Sequence, residues 1–265
     1  MPQQVDAGPR LDFTGRRVLV TGASHGIGRA VAEAFAQAGA DLAILSSTPD
    51  IEAAGREIAA AIGRPVRAEV CDITDRAAVR RVVGGLGALD VLVNNAGLEL
   101  MTPMLDPDDA VEATFRRIID INVVGTYSVT REALRRMTAG ASIVLTSSVW
   151  GKTAAADFAA YVTSKHANIG FMRVLAKELG PRGIRVNAVC PGWVRTRAAL
   201  RSLARVSEQA GIGEEDMLDD ILSAQALPGL MEPQDVASLY LFLASDLARN
   251  ITGQAVNVDR GEVMA

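Results

Sequence analysis

Tyr161 and Lys165 lie four residues apart in Ala-Tyr-Val-Thr-Ser-Lys-His, and Ser148 stands thirteen residues before the tyrosine, at the end of an apolar run. On a helix, that spacing puts phenol and ammonium on one face. A free phenol titrates near ~10, so acid–base work around neutrality needs a shift of roughly 3 units, or about 4 kcal/mol. A fixed cation one turn away stabilises the phenolate and lowers its pKa. A serine hydroxyl beside the phenol can hydrogen-bond an oxygen of a bound molecule while the proton moves. Together the three make a proton-delivery device. The competing reading is a helix that merely carries Tyr and Lys at this spacing.

Such a device needs a platform, and the N-terminal region supplies one. The apolar run Val18-Leu19-Val20 leads straight into Thr21-Gly22-Ala23-Ser24-His25-Gly26-Ile27-Gly28, and helix-forming residues follow from Arg29 to Ala36. Strand, glycine turn, helix is a phosphate-binding layout. Gly22 permits the tight turn and close approach of backbone to a pyrophosphate. Gly28 lets the helix pack closely on its strand, and the helix N-terminus offers free amides to an anion. The spacing is Thr-Gly-x-x-x-Gly-x-Gly rather than Gly-x-Gly-x-x-Gly.

Short apolar runs alternate with helical stretches along the rest of the chain. Strands are expected at 18–20, 42–45, 66–70, 91–93, 143–146, 186–189 and 255–258. Helices are expected at 27–38, 50–62, 76–84, 108–137, 158–180 and 234–244. Runs of three to five apolar residues without alternation suit parallel strands covered on both faces. The fold class is therefore α/β: a Rossmann-type, doubly wound sheet of seven parallel strands with helices on both faces. A chain of 265 residues, 49% hydrophobic, fits one domain. Residues 1–12 read as an N-terminal tail and 13–265 as the domain. Segment 198–232 reads either as a cover with an oily underside or as an amphipathic helical excursion.

The net charge of −4 argues against nucleic acid or an anionic membrane as main partner, and the arginines around Arg195, Arg197 and Arg201 read as solvated helix faces. No apolar run is long enough to span a bilayer, and the first ten residues do not read as a signal peptide. Cys71 and Cys190 lack metal-ligand spacing and read as reduced, buried residues of a cytoplasmic protein. No metal site is expected, and His25 and His166 do not form one with the cysteines.

The glycine turn and the Tyr-x-x-x-Lys pair, in this order, resemble the short-chain dehydrogenase/reductase superfamily. The resemblance runs from Phe13 to about Asp259. It extends to Asp72-Ile73, Asn94-Asn95-Ala96-Gly97, Asn122, Ser147-Ser148 and Pro191-Gly192-Trp193-Val194-Arg195-Thr196. It implies an NAD(P)-dependent enzyme and gives each residue a role. Tyr161 would be general acid for ketone reduction and general base for alcohol oxidation. Lys165 would lower the phenol's pKa and hold the nicotinamide ribose. Ser148 would orient the substrate oxygen, with Ser147 as its backbone-facing neighbour. Asn122 would place a water linking Lys165 to solvent, although a side chain satisfied by backbone is the reading without the family. Asp72 and Ile73 would hold the adenine. Thr196, next to Val194, would bond the nicotinamide carboxamide, its approach set by Pro191-Gly192. Asn95, Ala96 and Gly97 would line the coenzyme crevice beyond the strand ends. Relatives assemble as homotetramers or homodimers, and the same is expected here.

Coenzyme choice falls at the end of the second strand, where an acid bonds the ribose of NAD and repels a phosphate. Here Ser46, Ser47 and Thr48 stand there, with His25 in the glycine loop. Hydroxyls plus an imidazole can hold a 2′-phosphate, which favours NADP slightly over NAD. His25 as a plain exposed loop residue is the equal alternative.

For the substrate, the cover and the Pro-Gly-Trp turn are similar to the 3-hydroxybutyrate dehydrogenase branch, but the carboxylate-holding positions differ. Phe158 replaces a lysine, Trp150 a histidine and Glu99 a glutamine. Phe158, Trp150 and Trp193 point to a neutral, partly apolar ketone or secondary alcohol, since an unpaired buried anion is costly. The tryptophans as core anchors, and Glu99 as a surface residue or as a ligand for a substrate hydroxyl or amine, remain open readings. So do a polyol, sugar or 3-oxoacyl substrate. The non-enzyme alternative, a nucleotide-sensing regulator or scaffold, lacks a reason to keep Asn122, Ser148, Tyr161 and Lys165 together. Arg260 follows Asp259 where the family has glycine.

Overall fold

A computed structural model describes residues 11–264 of the chain. Most of the expected N-terminal tail lies outside the described residues. Phe13 already belongs to the core: its ring meets Phe35 edge-on at 4.8 Å, and its amide donates to the Ala38 carbonyl.

Seven parallel strands form one sheet in the order β3-β2-β1-β4-β5-β6-β7. They are β1 (Arg17–Thr21), β2 (Asp41–Ser46), β3 (Arg67–Val70), β4 (Val91–Asn94), β5 (Ser142–Thr146), β6 (Arg185–Pro191) and β7 (Ala255–Val258). The fold class is the expected one. Side chains alternate between the two faces. Val18, Val20, Ile44, Val93 and Val144 pack under α1 (Gly26–Gln37), α2 (Asp50–Ile62) and α9 (Pro233–Ala244). Leu19, Leu45, Leu92, Ile143 and Leu145 face α3 (Arg76–Gly84), α5 (Thr126–Ala133) and α6 (Ala159–Leu179). Each fully buried Leu, Ile or Val contributes roughly 1.5–3 kcal/mol relative to exposure. Both faces are thus closed by apolar layers, and polar chemistry is left to the strand ends.

One expectation needs refinement. The stretch 108–137 is helical from Asp109 to Ala133 but not regular: α4 (Asp109–Ile119) and α5 flank a π-helical segment, Asp120–Gly125, that carries Asn122. Such widened turns insert one residue and redirect side chains. The segment 198–232 is a helical excursion, one of the two readings of its composition. It holds α7 (Arg197–Ala210), capped by the Thr196 hydroxyl on the Ala199 amide, and α8 (Glu214–Ser223). Gly211 ends α7 in the left-handed conformation. Leu203 is buried beneath α7, while no residue of α8 is buried. No helix among the described residues is long and apolar enough to cross a membrane.

Strand order reverses between β1 and β4, so the loops after these strands part and leave a crevice at their carboxyl ends.

Candidate active site

A cavity of about 520 Å³ fills that crevice. Its floor is the glycine turn. Gly22 has φ +67°, and a Cβ there would stand 2.7 Å from the Ala96 backbone. At Gly28 a Cβ would stand 2.2 Å from the Gly22 carbonyl oxygen and 2.3 Å from Asn95 Nδ2. Glycine at these two positions brings the β1 and β4 loops together. Asn95 then braces the turn: its Nδ2 donates to the carbonyls of Thr21 and Gly22, and its Oδ1 accepts from Thr146.

The first turn of α1 has no acidic residue and no side-chain cap, so its amides are free for an anion. Beside it, Ser24 Oγ lies 3.2 Å from Ser46 Oγ and 2.9 Å from Nδ1 of exposed His25. Asp72 lines the next wall, its carboxylate accepting from the amide and hydroxyl of Thr74. Size, glycine cradle, free amides and hydroxyl corner together fit a dinucleotide.

The far end is built around α6. That helix has no cap of its own at Phe158, and Thr102 supplies one from the β4–α4 loop, its hydroxyl accepting from the Ala160 amide at 2.9 Å. A strand-like bridge between Thr102 and Phe158 strengthens the join. Tyr161 follows in the first turn. Thr102 is a positioning residue for Tyr161 that local sequence rules cannot find, because its partner is 58 residues away.

Lys165 is buried, donates to the Thr146 carbonyl at 2.9 Å, and lies 5.3 Å from the Tyr161 ring centroid. Ser147 turns away to donate to the Lys165 carbonyl. Ser148 faces the cavity and accepts from the Trp150 amide. Trp150 stands edge-on to Tyr161 at 6.0 Å.

The electrostatics differ from the expectation. The Tyr161 phenol is raised well above its ordinary range, first by desolvation and then by the Glu99 carboxylate, with only Ser148 pulling it down. The ammonium of Lys165, over the ring and bonded to the Thr146 carbonyl, does not offset this rise. Desolvation lowers Lys165 itself to about 8, partly offset by Cys190 and Glu99. Burial outweighs the neighbouring cation here.

Of the expected site residues, Gly22, Ser24, His25, Gly26, Ile27, Gly28, Ser46, Ser47, Asp72 and Ile73 line the cavity at its dinucleotide end. Asn95, Ala96, Gly97, Glu99, Ser148, Trp150, Tyr161, Lys165, Pro191, Gly192, Trp193, Val194 and Thr196 line the remainder. Both tryptophans therefore face the cavity rather than anchor the core.

Two residues do not reach it. Asn122 is buried behind the wall. Its Nδ2 donates to the Leu98 carbonyl and the Ser164 hydroxyl, and its Oδ1 accepts from the Leu98 amide. Both N–H groups of the side chain are committed, so the side chain braces the β4 loop against α6. Phe158 is 4% exposed and packs behind Trp150 with ring centroids 4.9 Å apart. Phe158→Lys should therefore not create an anion site. It should bury an unpaired ammonium, cost about 3–5 kcal/mol of stability and so lower the melting temperature. A melting temperature equal to that of the native chain, measured by calorimetry, would contradict this placement. Arg201 is exposed on α7, as expected, and from there donates to the Glu99 carbonyl at 2.9 Å.

A family model described as enoyl-(acyl carrier protein) reductase matches residues 22–262. The chain belongs to the short-chain dehydrogenase/reductase family. It is 38% identical over 259 residues to the oxidoreductase UcpA of Escherichia coli (strain K12), covering 95% of this chain and 96% of that one. It is 34% identical to the D-beta-hydroxybutyrate dehydrogenase of Cupriavidus necator, covering 95% and 99%. Among solved structures, a short chain dehydrogenase from Burkholderia cenocepacia in complex with NADP superposes with a TM-score of 0.81 at 33% identity, covering 94% and 98%. As a short-chain dehydrogenase/reductase, the chain is an oxidoreductase of a family that binds a nicotinamide coenzyme.

Proposed function

We propose that this oxidoreductase interconverts a neutral, partly apolar ketone and its secondary alcohol, with Tyr161 moving the proton at the substrate oxygen. The observation that carries this reading is the meeting of Ser148, Tyr161 and Lys165 under Trp150, in the same cavity as the glycine cradle. The amides of the first α1 turn would hold the pyrophosphate, Asp72 and Ile73 the adenine, Lys165 the nicotinamide ribose, and Thr196 with Val194 the carboxamide. The bound nicotinamide supplies or accepts the hydride.

The remaining work belongs to the chain. Ser148 donates to the carbonyl oxygen and fixes its position. Tyr161, kept protonated by its desolvated setting, is stocked in the form that delivers a proton to that oxygen. Asn122 and Thr102 hold the two sides of the site in register. Trp150 and Trp193 give a ketone apolar walls and exclude water.

NADP is favoured slightly over NAD. The supporting feature is the corner of Ser24, His25, Ser46 and Ser47, which presents hydroxyls and an imidazole and no carboxylate. Lys165 gives this reading a pH dependence. With a pKa of about 8, its ammonium is present below that pH and lost above it. The kcat/KM for NADPH, which reports the free enzyme, should hold level up to about pH 8 and decline beyond it. A value that keeps rising above that point would count against Lys165 as the ribose ligand.

The direct test of substrate class is initial rates with NADPH or NADH against matched neutral ketones and keto acids. Neutral ketones should be turned over faster. A preference for small keto acids would overturn the apolar-pocket reading.

A further inference from the structure

Glu99 is the one acid among the residues expected at the substrate end, and its surroundings are unusual. It follows the Asn-Asn-Ala-Gly turn on the β4–α4 loop and lines the cavity. Its Oε1 accepts from the Ser202 hydroxyl of α7, and its carbonyl accepts from Arg201. Among the described residues it forms no salt bridge, and Oε2 has no hydrogen-bond partner. The carboxylate is thus pinned by one oxygen while the other stays available. It shares the cavity lining with Ser148, Trp150 and Tyr161.

We propose that Glu99 determines specificity, its free oxygen accepting from a hydroxyl that the substrate carries apart from the reacting carbonyl, while its charge repels carboxylated substrates. This rests on the ketone-reduction reading above. Three features support it. An acceptor-only group in a cavity with apolar walls selects for a donor, since either partner left unpaired is costly. Ser202 removes the freedom of the side chain, so the acceptor is pre-positioned. An anionic substrate would meet the carboxylate head-on, which gives discrimination by repulsion as well as attraction.

The test uses three cyclohexanones with a hydroxyl, no substituent or a carboxylate on the carbon opposite the carbonyl, each reduced with NADPH. The native chain should prefer the hydroxylated ketone and accept the carboxylated one least. In Glu99→Gln, the hydroxylated-to-unsubstituted ratio of kcat/KM should fall about tenfold, and the carboxylated-to-unsubstituted ratio should rise about tenfold. Ser202→Ala keeps the charge, so the carboxylated ketone should stay disfavoured in it. If both variants shift all three substrates by one common factor, Glu99 only clasps α7 and the proposal is wrong. A native preference for the carboxylated ketone would also overturn it, while leaving the oxidoreductase reading intact. Absence of turnover on even the unsubstituted ketone would instead remove the ketone-reduction reading, and this inference with it.

Discussion

Tyr161→Phe should bind NADPH as the native chain does and reduce ketones at least about a hundredfold more slowly. The substitution removes one oxygen and leaves the ring, its edge-on contact with Trp150 and the cation above it. Nothing that shapes the dinucleotide end changes. Only the group that gives its proton to the carbonyl oxygen is lost, so the deficit should appear in kcat and not in coenzyme affinity. Ser148 still donates to the substrate oxygen in the variant, which is why residual turnover is expected. Retention of native kcat would show that another group, or a water, delivers the proton. Loss of NADPH binding would show that the phenol shapes the coenzyme site instead.

Gly28→Ala should raise the NADPH dissociation constant and lower the melting temperature together. The added methyl would lie 2.2 Å from the Gly22 carbonyl oxygen and 2.3 Å from Asn95 Nδ2, inside the hydrogen bonds that tie the β1 and β4 loops. One of those neighbours is backbone and the other is held at both ends, so neither can step aside. Helix α1 must lift from its strand, moving the amides that face the anion. Overpacking of this kind costs ~1–3 kcal/mol. Borne by the coenzyme site, that is a factor of roughly 10 to 100 in affinity. Fluorescence titration with NADPH and a thermal melt measure the two effects. Native values in both would mean that the turn is looser than the close approach at Gly22 and Gly28 implies.

Sequence was a good guide where one element decides the outcome. Apolar runs without alternation placed the central strands, because strands covered on both faces must read that way. The glycine turn was legible for the same reason: close approach of backbone admits only glycine at Gly22 and Gly28. What eluded sequence depends on contacts between distant segments. Hydrophobic periodicity does not register the single inserted residue that widens the helix at Asn122. Phe158 occupies a position three residues before the tyrosine, yet its direction is fixed by Trp150 and by the bridge to Thr102, so it packs behind the wall. The phenol's shift reversed sign because burial and Glu99, both set by the tertiary structure, outweigh the nearby ammonium. In the cover, α7 was readable from local signals, Thr196 as cap and Gly211 as stop. No side-chain cap marks the start of α8.

The most direct measurement is label transfer. The purified chain would be supplied in turn with NADPH deuterated on each face of the nicotinamide carbon, together with a neutral aromatic or alicyclic ketone, and the alcohol analysed by mass spectrometry. We expect one deuterium on the carbinol carbon from one of the two labelled coenzymes, with the labelled alcohol formed at least about a hundredfold more slowly in Tyr161→Phe. Alcohol formed without deuterium from either labelled coenzyme, or unaffected by loss of the phenol, would contradict hydride transfer coupled to a proton from Tyr161.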